Sequence, residues 1–249
     1  MAAMGSLKLR LLACNALLRE LCYLVSRSPN IFDLDFNELD AHRHSESLRA
    51  LIQHKIDAAD GAGYDAILLG YGLCGNATVG LRAGVTRLVI PRAHDCCTLL
   101  LGSRQEFKRH FRDTPSQPFS STGYGERATA LFHEGLEGGP SDAVYREYVE
   151  KYGEENARYI FEAMTAPAHT QNRLVFIDVS ETAHLGAAER CEQRARADGR
   201  EFLRLPGSLE LLRKLVDGEW DGDFLVLEPG QRLAGVYDWD EIVRAEPAD

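Results

Sequence analysis

Short apolar runs recur along the chain, and stretches with helical periodicity separate them. We predict strands at residues 7–13, 66–69, 88–90, 174–179, 202–205 and 224–227. Residues 31–39 alternate imperfectly between apolar and polar positions, which is typical of an edge strand. Runs that are apolar throughout, such as 66–69, are typical of central strands buried on both faces.

The stretches between the strands repeat apolar residues every three or four positions. In the second of them Leu48, Leu51, Ile52 and Ile56 share one face, and a serine at 45 or 47 caps its start. Helices are predicted at 15–25, 45–59, 79–83, 97–111, 141–164, 185–198 and 209–216. Because strands alternate with helices, the predicted fold is α/β, with a mainly parallel sheet and helices on both faces.

The predicted elements fall into two Rossmann-like halves joined by a helical insertion. Residues 1–111 form an amino-terminal α/β half that carries the Cys and His loops, and residues 171–249 form a carboxyl-terminal α/β half. Between them, residues 112–170 begin with a stretch rich in Pro, Ser and Gly and continue as a long helical pattern. This insertion is a candidate lid over a site.

Composition excludes several classes of protein. With 249 residues and 45% hydrophobic residues, the chain is long and apolar enough to build a sizeable core. The formal net charge of -10 argues against broad contact with nucleic acid or an anionic membrane. We find no apolar run of the roughly 20 residues that a membrane helix needs, and we identify no signal peptide. A cytoplasmic protein is therefore expected.

Two loops that follow apolar strands contain cysteine. One reads Asp65-Ala-Ile-Leu-Leu-Gly-Tyr-Gly-Leu-Cys74-Gly-Asn, and the other reads Arg87-Leu-Val-Ile-Pro-Arg-Ala-His94-Asp-Cys96-Cys97. In a parallel sheet such loops meet at the carboxyl edge, where binding sites form. A His-x-Cys step together with a distant Cys is typical of a metal site, and thiolate with imidazole suits zinc or iron.

Cys14 also follows a strand, so it joins Cys74 and Cys96 if the three strands are neighbours. The predicted metal ligands are Cys14, Cys74, His94 and Cys96. Alternation favours Cys96 over Cys97, which is expected to face the following helix. Three thiolates with an imidazole or water would hold zinc, and three thiolates would equally hold a four-iron cluster with one open iron. His42 and His44 are expected to lie in a solvated loop, and one of them is an alternative fourth ligand or general acid. Cys22 and Cys191 are expected to be packing residues.

The glycines around Cys74 allow a ligand to approach the backbone closely, and their amides are able to form an anion nest. Gly72, Gly75, Asn76 and Arg92 are therefore the candidate cofactor-binding residues. The loop loosely matches a dinucleotide fingerprint, but the next strand does not end in the required acidic residue, which argues against a nicotinamide cofactor. Arg92 could join Arg82 and Arg104 in a clamp for a carboxylate or phosphate.

Three carboxylates are the candidate catalytic residues. Asp95 lies between His94 and Cys96, and Glu154 and Glu155 lie in the string Tyr152-Gly-Glu-Glu-Asn-Ala-Arg-Tyr159 of the insertion. That string is either an ordinary helix start after Gly153 or a polar lid segment that faces the substrate. Glu20, on the first helix, is expected to be a surface residue or a salt-bridge partner, and a supporting hydrogen bond to a metal ligand is the remaining alternative.

Several strings together resemble one family, the domain of unknown function 1638 family of bacteria and archaea. They are GYGLCGN, PRAHDC followed by TLLLGS, YGEENARY, FID and DGEWDGDFLVLEPGQRL, and the early Ala-Cys14-x-x-Leu-x-x-Glu20-Leu is similar to the family's opening. The chain departs from the family pattern near residues 120–126 and at His42. The resemblance implies a link to organisms rich in corrinoid and one-carbon metabolism.

The ligand set leads to three functional hypotheses. The first is a zinc enzyme that transfers a methyl group to or from a thiol or a corrinoid, since zinc lowers the pKa of a thiol and so activates it. The second is an iron–sulfur lyase or dehydratase with a three-cysteine cluster. The third is a carrier that delivers a metal or cofactor without catalysis. The expected partners are a small-molecule substrate, a corrinoid protein and further copies of the chain, but neither nucleic acid nor membrane.

Overall fold

The computed structural model describes residues 5–39, 45–115, 117–127, 149, 154, 173–236 and 238–248. Apart from Val149 and Glu154, which are helical, the predicted helix at 141–164 lies outside the described residues. Residues 40–44, which contain His42 and His44, also lie outside them.

The described residues form alternating strands and helices, with additional 3-10 turns at Asn15–Leu17 and Ala183–Leu185. The strands are β1 (Lys8–Cys14), β2 (Ile31–Asn37), β3 (Ala66–Gly70), β4 (Leu88–Pro91), β5 (Phe119–Ser120), β6 (Arg173–Asp178), β7 (Glu201–Pro206), β8 (Phe224–Leu227), β9 (Gln231–Gly235) and β10 (Val243–Pro247). The helices are α1 (Leu18–Val25), α2 (Ser45–Ala59), α3 (Cys96–Leu101), α4 (Arg104–Phe111), α5 (Thr122–Arg127), α6 (Ala187–Ala197) and α7 (Glu210–Asp217).

The larger sheet has five strands in the order β2-β1-β3-β4-β8. Its first four strands are parallel, whereas β8 pairs antiparallel with β4. The sequence predicts 31–39 as an edge strand, and β2 is indeed at an edge. Residues 224–227 were expected at the centre, but β8 forms the opposite edge and so brings a strand from the predicted third segment into the first sheet.

A smaller sheet contains three parallel strands in the order β5-β6-β7. The antiparallel pair β9–β10 stands beside the larger sheet, and a bridge between Arg82 and Arg232 connects it to the segment that follows β3. The predicted mixed α/β architecture with a mainly parallel sheet is therefore confirmed.

Two helical predictions differ from the structure. Residues 97–111 form two helices, because Gly102 takes a left-handed φ of 78° and Ser103 caps α4 by accepting a hydrogen bond from the Glu106 amide. Residues 79–83 form no helix: residues 79 and 80 end a turn, and Arg82 forms the isolated β-bridge to Arg232. In the described part of the chain we find no helix with the length and apolarity needed to cross a membrane.

The core is built around the central strands β1 and β3. All five residues of β3 are buried, so both faces of this strand are covered. A Cβ placed on Gly70 would lie 2.6 Å from the Cβ of Ala13, so β1 and β3 are packed too closely there for a second side chain. This tight packing fixes the ends of the strands from which the candidate site is built.

Candidate metal centre

The cysteines predicted as ligands follow three adjacent strands. Cys14 is the last residue of β1, Cys74 lies in the loop after β3, and Cys96 begins α3 just after β4. Because β1, β3 and β4 are neighbours and run parallel, their carboxyl ends lie at the same edge of the sheet. The topology therefore places all three cysteines at one edge.

Backbone hydrogen bonds join the loop after β3 to the loop after β4. The amides of Leu73 and Cys74 donate to the carbonyl oxygens of Ala93 and His94, each at 2.8 Å. A Cβ on Gly72 would lie 2.6 Å from the backbone nitrogen of Asp95, so only glycine allows this contact. The two cysteine loops therefore form one rigid unit.

The thiol of Cys96 is hydrogen-bonded to the thiols of Cys14 and Cys74. These contacts, together with burial, raise the pKa of Cys96 well above its usual range. The sulfur of Cys14 also accepts a hydrogen bond from the Ala16 amide at 3.5 Å. Cys14 and Cys96 are buried, whereas Cys74 is partly exposed and gives the cluster a side that faces solvent.

The thiol cluster is not yet arranged as a coordination site. Among the described residues, no group of three or more His, Cys, Asp and Glu side chains has the geometry to hold a metal ion. The hydrogen bonds of Cys96 establish which thiols are neighbours, whereas coordination requires the sulfurs to lose their protons and to face one point.

The loop that carries Cys74 has an unusual backbone. Cys74, Gly75 and Asn76 take positive φ angles of 48°, 61° and 69°. A left-handed conformation costs a non-glycine residue about 1–2 kcal/mol, and such strain is typical of functional sites. The Arg49 guanidinium donates to the carbonyl oxygen of Asn76 at 2.8 Å and so helps to hold this turn.

The predicted cofactor-binding role of Gly72, Gly75 and Asn76 stays a prediction. Gly75 is exposed and Asn76 is partly buried, so both lie where a ligand could reach the strained turn. Gly72 is buried, and its carbonyl oxygen accepts a hydrogen bond from the Thr78 hydroxyl at 3.1 Å. Gly72 therefore shapes the loop from the inside instead of facing solvent.

His94 lies in an aromatic cluster. The centre of its ring is 5.1 Å from that of Phe107 and 5.2 Å from that of Trp239. Its Nε2 is buried and has no hydrogen-bond partner among the described residues, and burial lowers the pKa of the imidazole. Among the described residues, the bond between His94 and the Cys74 loop is made by the His94 backbone, and a ligand role would require the ring to move.

Asp95 caps α3. One of its carboxylate oxygens accepts hydrogen bonds from the Thr98 amide at 3.1 Å and from the Thr98 hydroxyl at 3.4 Å. Burial raises the pKa of Asp95 to about 7, and the neighbouring Cys74 adds to the rise. The structure shows this capping role, and the predicted catalytic role stays a prediction. Burial also raises the pKa of the Cys97 thiol, and the nearby Asp95 carboxylate raises that pKa further.

Two of the three arginines predicted to clamp an anion, Arg92 and Arg104, bind groups of the protein itself. Arg92 donates to the carbonyl oxygens of Glu241 and Val243, and burial lowers its pKa. Arg104 donates to the carbonyl oxygen of Gly222 at 3.1 Å and forms an ion pair with Asp223 at 3.3 Å. Arg82 is exposed. Arg92 and Arg104 therefore hold the carboxyl-terminal segment against the sheet.

Two tyrosines near the thiols were missed from the sequence. Tyr71 is fully buried, and its hydroxyl accepts a hydrogen bond from the Asn37 side chain at 2.8 Å. Burial raises the pKa of Tyr71 and of Tyr124, and the nearby cysteines raise both further. Tyr71 could have been predicted as a site residue, because it lies in the GYGLCGN string beside Cys74. Tyr124 could not, because it lies in a Ser- and Gly-rich stretch that has no periodic pattern.

The predicted surface position of Glu20 is wrong. The sequence favoured a surface position or a salt bridge, but its side chain is fully buried and takes part in no ion pair among the described residues. Of the predicted lid residues, Glu154 is an exposed helical residue, whereas Glu155 and Asn156 lie outside the described residues. The lid hypothesis therefore stays a prediction.

Comparison with known proteins places the chain in a family. Residues 36–216 match the family described as protein of unknown function (DUF1638), and the chain belongs to that family. No curated protein and no solved structure matches the chain.

Proposed function

We propose that this member of the DUF1638 family is a metal-dependent enzyme whose metal is bound by Cys14, Cys74 and Cys96. The single observation that carries the proposal is the interaction of the Cys96 thiol with both the Cys14 and the Cys74 thiols, since it brings together ligands from three strand ends. The partial exposure of Cys74 supports an open coordination position, which catalytic metal sites keep for the substrate.

In the leading form of the proposal the metal is zinc and the reaction is methyl transfer to or from a thiol or a corrinoid. Zinc would lower the pKa of a thiol substrate, so that the thiol reacts as a thiolate. The thiolate attacks the methyl carbon, the new S–C bond forms, and the bond from carbon to the donor breaks with its electrons left on the donor. A corrinoid bound to a partner protein is the proposed methyl donor or acceptor.

An iron–sulfur centre is the second candidate. It is favoured by the position of His94, whose ring packs against Phe107 and Trp239 while the three thiols converge without it. Three cysteines with one open iron would suit a lyase or dehydratase that binds a hydroxyl or carboxylate group. A non-enzymatic carrier would instead be indicated if four protein ligands closed the site.

The remaining parts of the proposal concern the architecture and the setting. We propose that the two parallel sheets belong to two Rossmann-like halves, and parallel pairing in both sheets supports this. The net charge of -10 supports a small-molecule substrate over nucleic acid. We further propose a cytoplasmic location, where thiol ligands stay reduced, and a homo-oligomer.

The test is metal analysis of protein purified without air. Stoichiometric zinc in a colourless protein would support the zinc enzyme. A brown protein with iron and acid-labile sulfide would support the cluster instead. If neither metal binds, even after incubation of the reduced protein with zinc or iron and sulfide, the metal-centre proposal is wrong. If zinc binds, the zinc-loaded protein is assayed for methylation of thiols by methylcorrinoids.

A further inference from the structure

The three thiols of the candidate centre differ in their access to solvent. Cys14 and Cys96 are 0% and 1% exposed, whereas Cys74 is partly exposed. Tyr71 and Tyr124 interact electrostatically with all three thiols and so lie beside the cluster, and Tyr71 is itself fully buried. A small molecule from solvent therefore meets the cluster at the sulfur of Cys74.

Cys96 is the thiol that the other two share. It interacts with both Cys14 and Cys74. An accessible sulfur beside a second thiol is the arrangement found in redox-active cysteine pairs, in which the accessible sulfur reacts with the oxidant and its neighbour closes a disulfide. Because each sulfur forms one disulfide at a time, Cys96 bridges either Cys74 or Cys14, and the surroundings of these two partners decide between them.

The backbone favours a bridge from Cys96 to Cys74. The amides of Leu73 and Cys74 donate to the carbonyl oxygens of Ala93 and His94, each at 2.8 Å, so the two loops are already joined two residues before Cys96. Disulfides form where the Cα atoms are about 4.4–6.8 Å apart, and larger separations require the backbone to move. Loops that are hydrogen-bonded to each other need the least movement to reach that range.

Cys14 is the less suitable partner. It is the last residue of β1, where it pairs with Asn37 of β2, so the sheet holds its backbone. Its sulfur accepts a hydrogen bond from the Ala16 amide at 3.5 Å, which a bridge to Cys96 would have to break. Moreover, both Cys14 and Cys96 are buried, so an oxidant meets neither of them first. We therefore expect Cys14 to remain a thiol.

The remaining cysteines provide internal controls. Cys22 is exposed on α1, and Cys191 on α6 packs against a small apolar cluster. Cys97 is as buried as Cys96, and the Asp95 carboxylate acts on its thiol. An oxidant that selected thiols by exposure alone would react with Cys22, whereas a disulfide within the chain requires a neighbouring thiol.

We propose that Cys74 and Cys96 form a reversible disulfide when the protein reacts with a small hydroperoxide, with Cys74 oxidised first and Cys96 closing the bridge. A small oxidant is required because the reacting sulfur is only partly exposed and its neighbour is buried. The inference goes beyond the proposed function and needs no metal.

The reaction takes two steps. The Cys74 sulfur attacks one oxygen of the peroxide, the O–O bond breaks, and the other oxygen leaves with the thiol proton, as water in the case of hydrogen peroxide. The Cys96 sulfur then attacks the sulfur of the resulting sulfenic acid, the S–O bond breaks, and the hydroxyl group leaves as water with the Cys96 proton. The two sulfurs together lose two electrons, and the peroxide gains them.

Peptide mapping tests the proposal. The purified protein is reduced with dithiothreitol, freed of the reductant without air and treated with equimolar hydrogen peroxide. Free thiols are then blocked with N-ethylmaleimide, and a digest is analysed by mass spectrometry without reduction. We expect one new crosslink, between the peptides that contain Cys74 and Cys96, and we expect dithiothreitol to remove it.

Matched variants identify the two roles. Cys96→Ser should form no crosslink and should accumulate the sulfenic acid of Cys74, which dimedone traps. Cys74→Ser should also form no crosslink and should keep the Cys96 thiol. Cys97→Ser and Cys22→Ser are the controls and should form the same crosslink as the wild type. The wild-type map tests the bridge even if a variant folds poorly.

Three results would overturn the proposal. They are oxidation of Cys22 while Cys74 and Cys96 stay thiols, a crosslink from Cys96 to Cys14 in place of Cys74, and the same product at Cys74 in wild type and Cys96→Ser.

Metal analysis of the same samples tests the metal centre separately. A protein that forms the bridge but binds neither zinc nor iron supports this inference and overturns the proposed function. A protein that binds metal but forms no bridge overturns this inference and leaves the metal centre supported.

Discussion

Gly72 and Asp95 are in such close contact that no side chain fits between them. A Cβ on Gly72 would lie 2.6 Å from the Asp95 backbone nitrogen and 2.7 Å from the carbonyl oxygen of Ala93. Since Cys74 follows Gly72 by two residues and Cys96 follows Asp95 by one, this contact sets the separation of two thiols. Backbone packing therefore positions the candidate metal ligands.

The first prediction concerns that contact. Gly72→Ala should push the two cysteine loops apart, lower the free energy of unfolding by about 1–3 kcal/mol and reduce metal binding. Chemical denaturation and metal analysis measure the two effects. Gly222→Ala is the control, since a Cβ there meets nothing within 4 Å and it should leave both quantities unchanged. Full metal content in a destabilised Gly72→Ala protein would contradict the positioning argument.

The second prediction compares adjacent cysteines. Cys96 and Cys97 are both buried at the start of α3, but the hydrogen bonds to Cys14 and Cys74 belong to Cys96. Losing an outer-sphere partner already costs 10–100-fold in metal affinity, so Cys96→Ser should lower affinity by more than about 100-fold. Cys97→Ser should keep the metal. Competition with a coloured chelator measures both affinities, and equal losses would show that the ligand assignment is wrong.

The third prediction separates two roles for His94. If packing against Phe107 and Trp239 is its role, His94→Phe should keep the metal and should not lower the free energy of unfolding. A buried polar atom without a partner costs about 1–3 kcal/mol, and the variant removes one, namely Nε2. Metal analysis and denaturation test this. Loss of metal in a folded His94→Phe protein would instead identify the imidazole as a ligand.

The fourth prediction concerns pH and Glu20. Its pKa rises from 4.5 to about 7 on folding, so the folded state binds more protons between these values and the free energy of unfolding falls as pH rises through them. At about 1.4 kcal/mol per pH unit the loss is about 3 kcal/mol. Glu20→Gln should therefore be more stable than the wild type by up to about 3 kcal/mol at pH 8 and nearly equal at pH 4.

Denaturation at several pH values from 4 to 8 measures this dependence. Asp95 has a pKa raised in the same direction, so part of the slope should remain in Glu20→Gln. Glu46→Gln, a change at an exposed position of α2, should reproduce the wild-type profile. An identical profile for Glu20→Gln would show that the buried carboxyl group does not titrate in this range.

Some features of the fold follow from short-range patterns. The apolar runs of β3 and β4 and the periodicity of α2 predict these elements because burial selects apolar residues with the repeat of each structure. The antiparallel placement of β8 was not predictable in this way. Its residues are as apolar as those of a central strand, and only the path of the chain through α7 brings it to the edge beside β4.

The sequence by itself determined that thiols follow strands of a mainly parallel sheet, because strand periodicity and alternation with helices are local properties of the chain. Tertiary structure alone decided which side chains meet there. It brought Cys14 to Cys96, turned the ring of His94 into an aromatic cluster and buried the Glu20 carboxyl group without a hydrogen-bond partner in the described part of the chain. These outcomes depend on how loops and helices distant in the chain pack against one another, which no local pattern encodes.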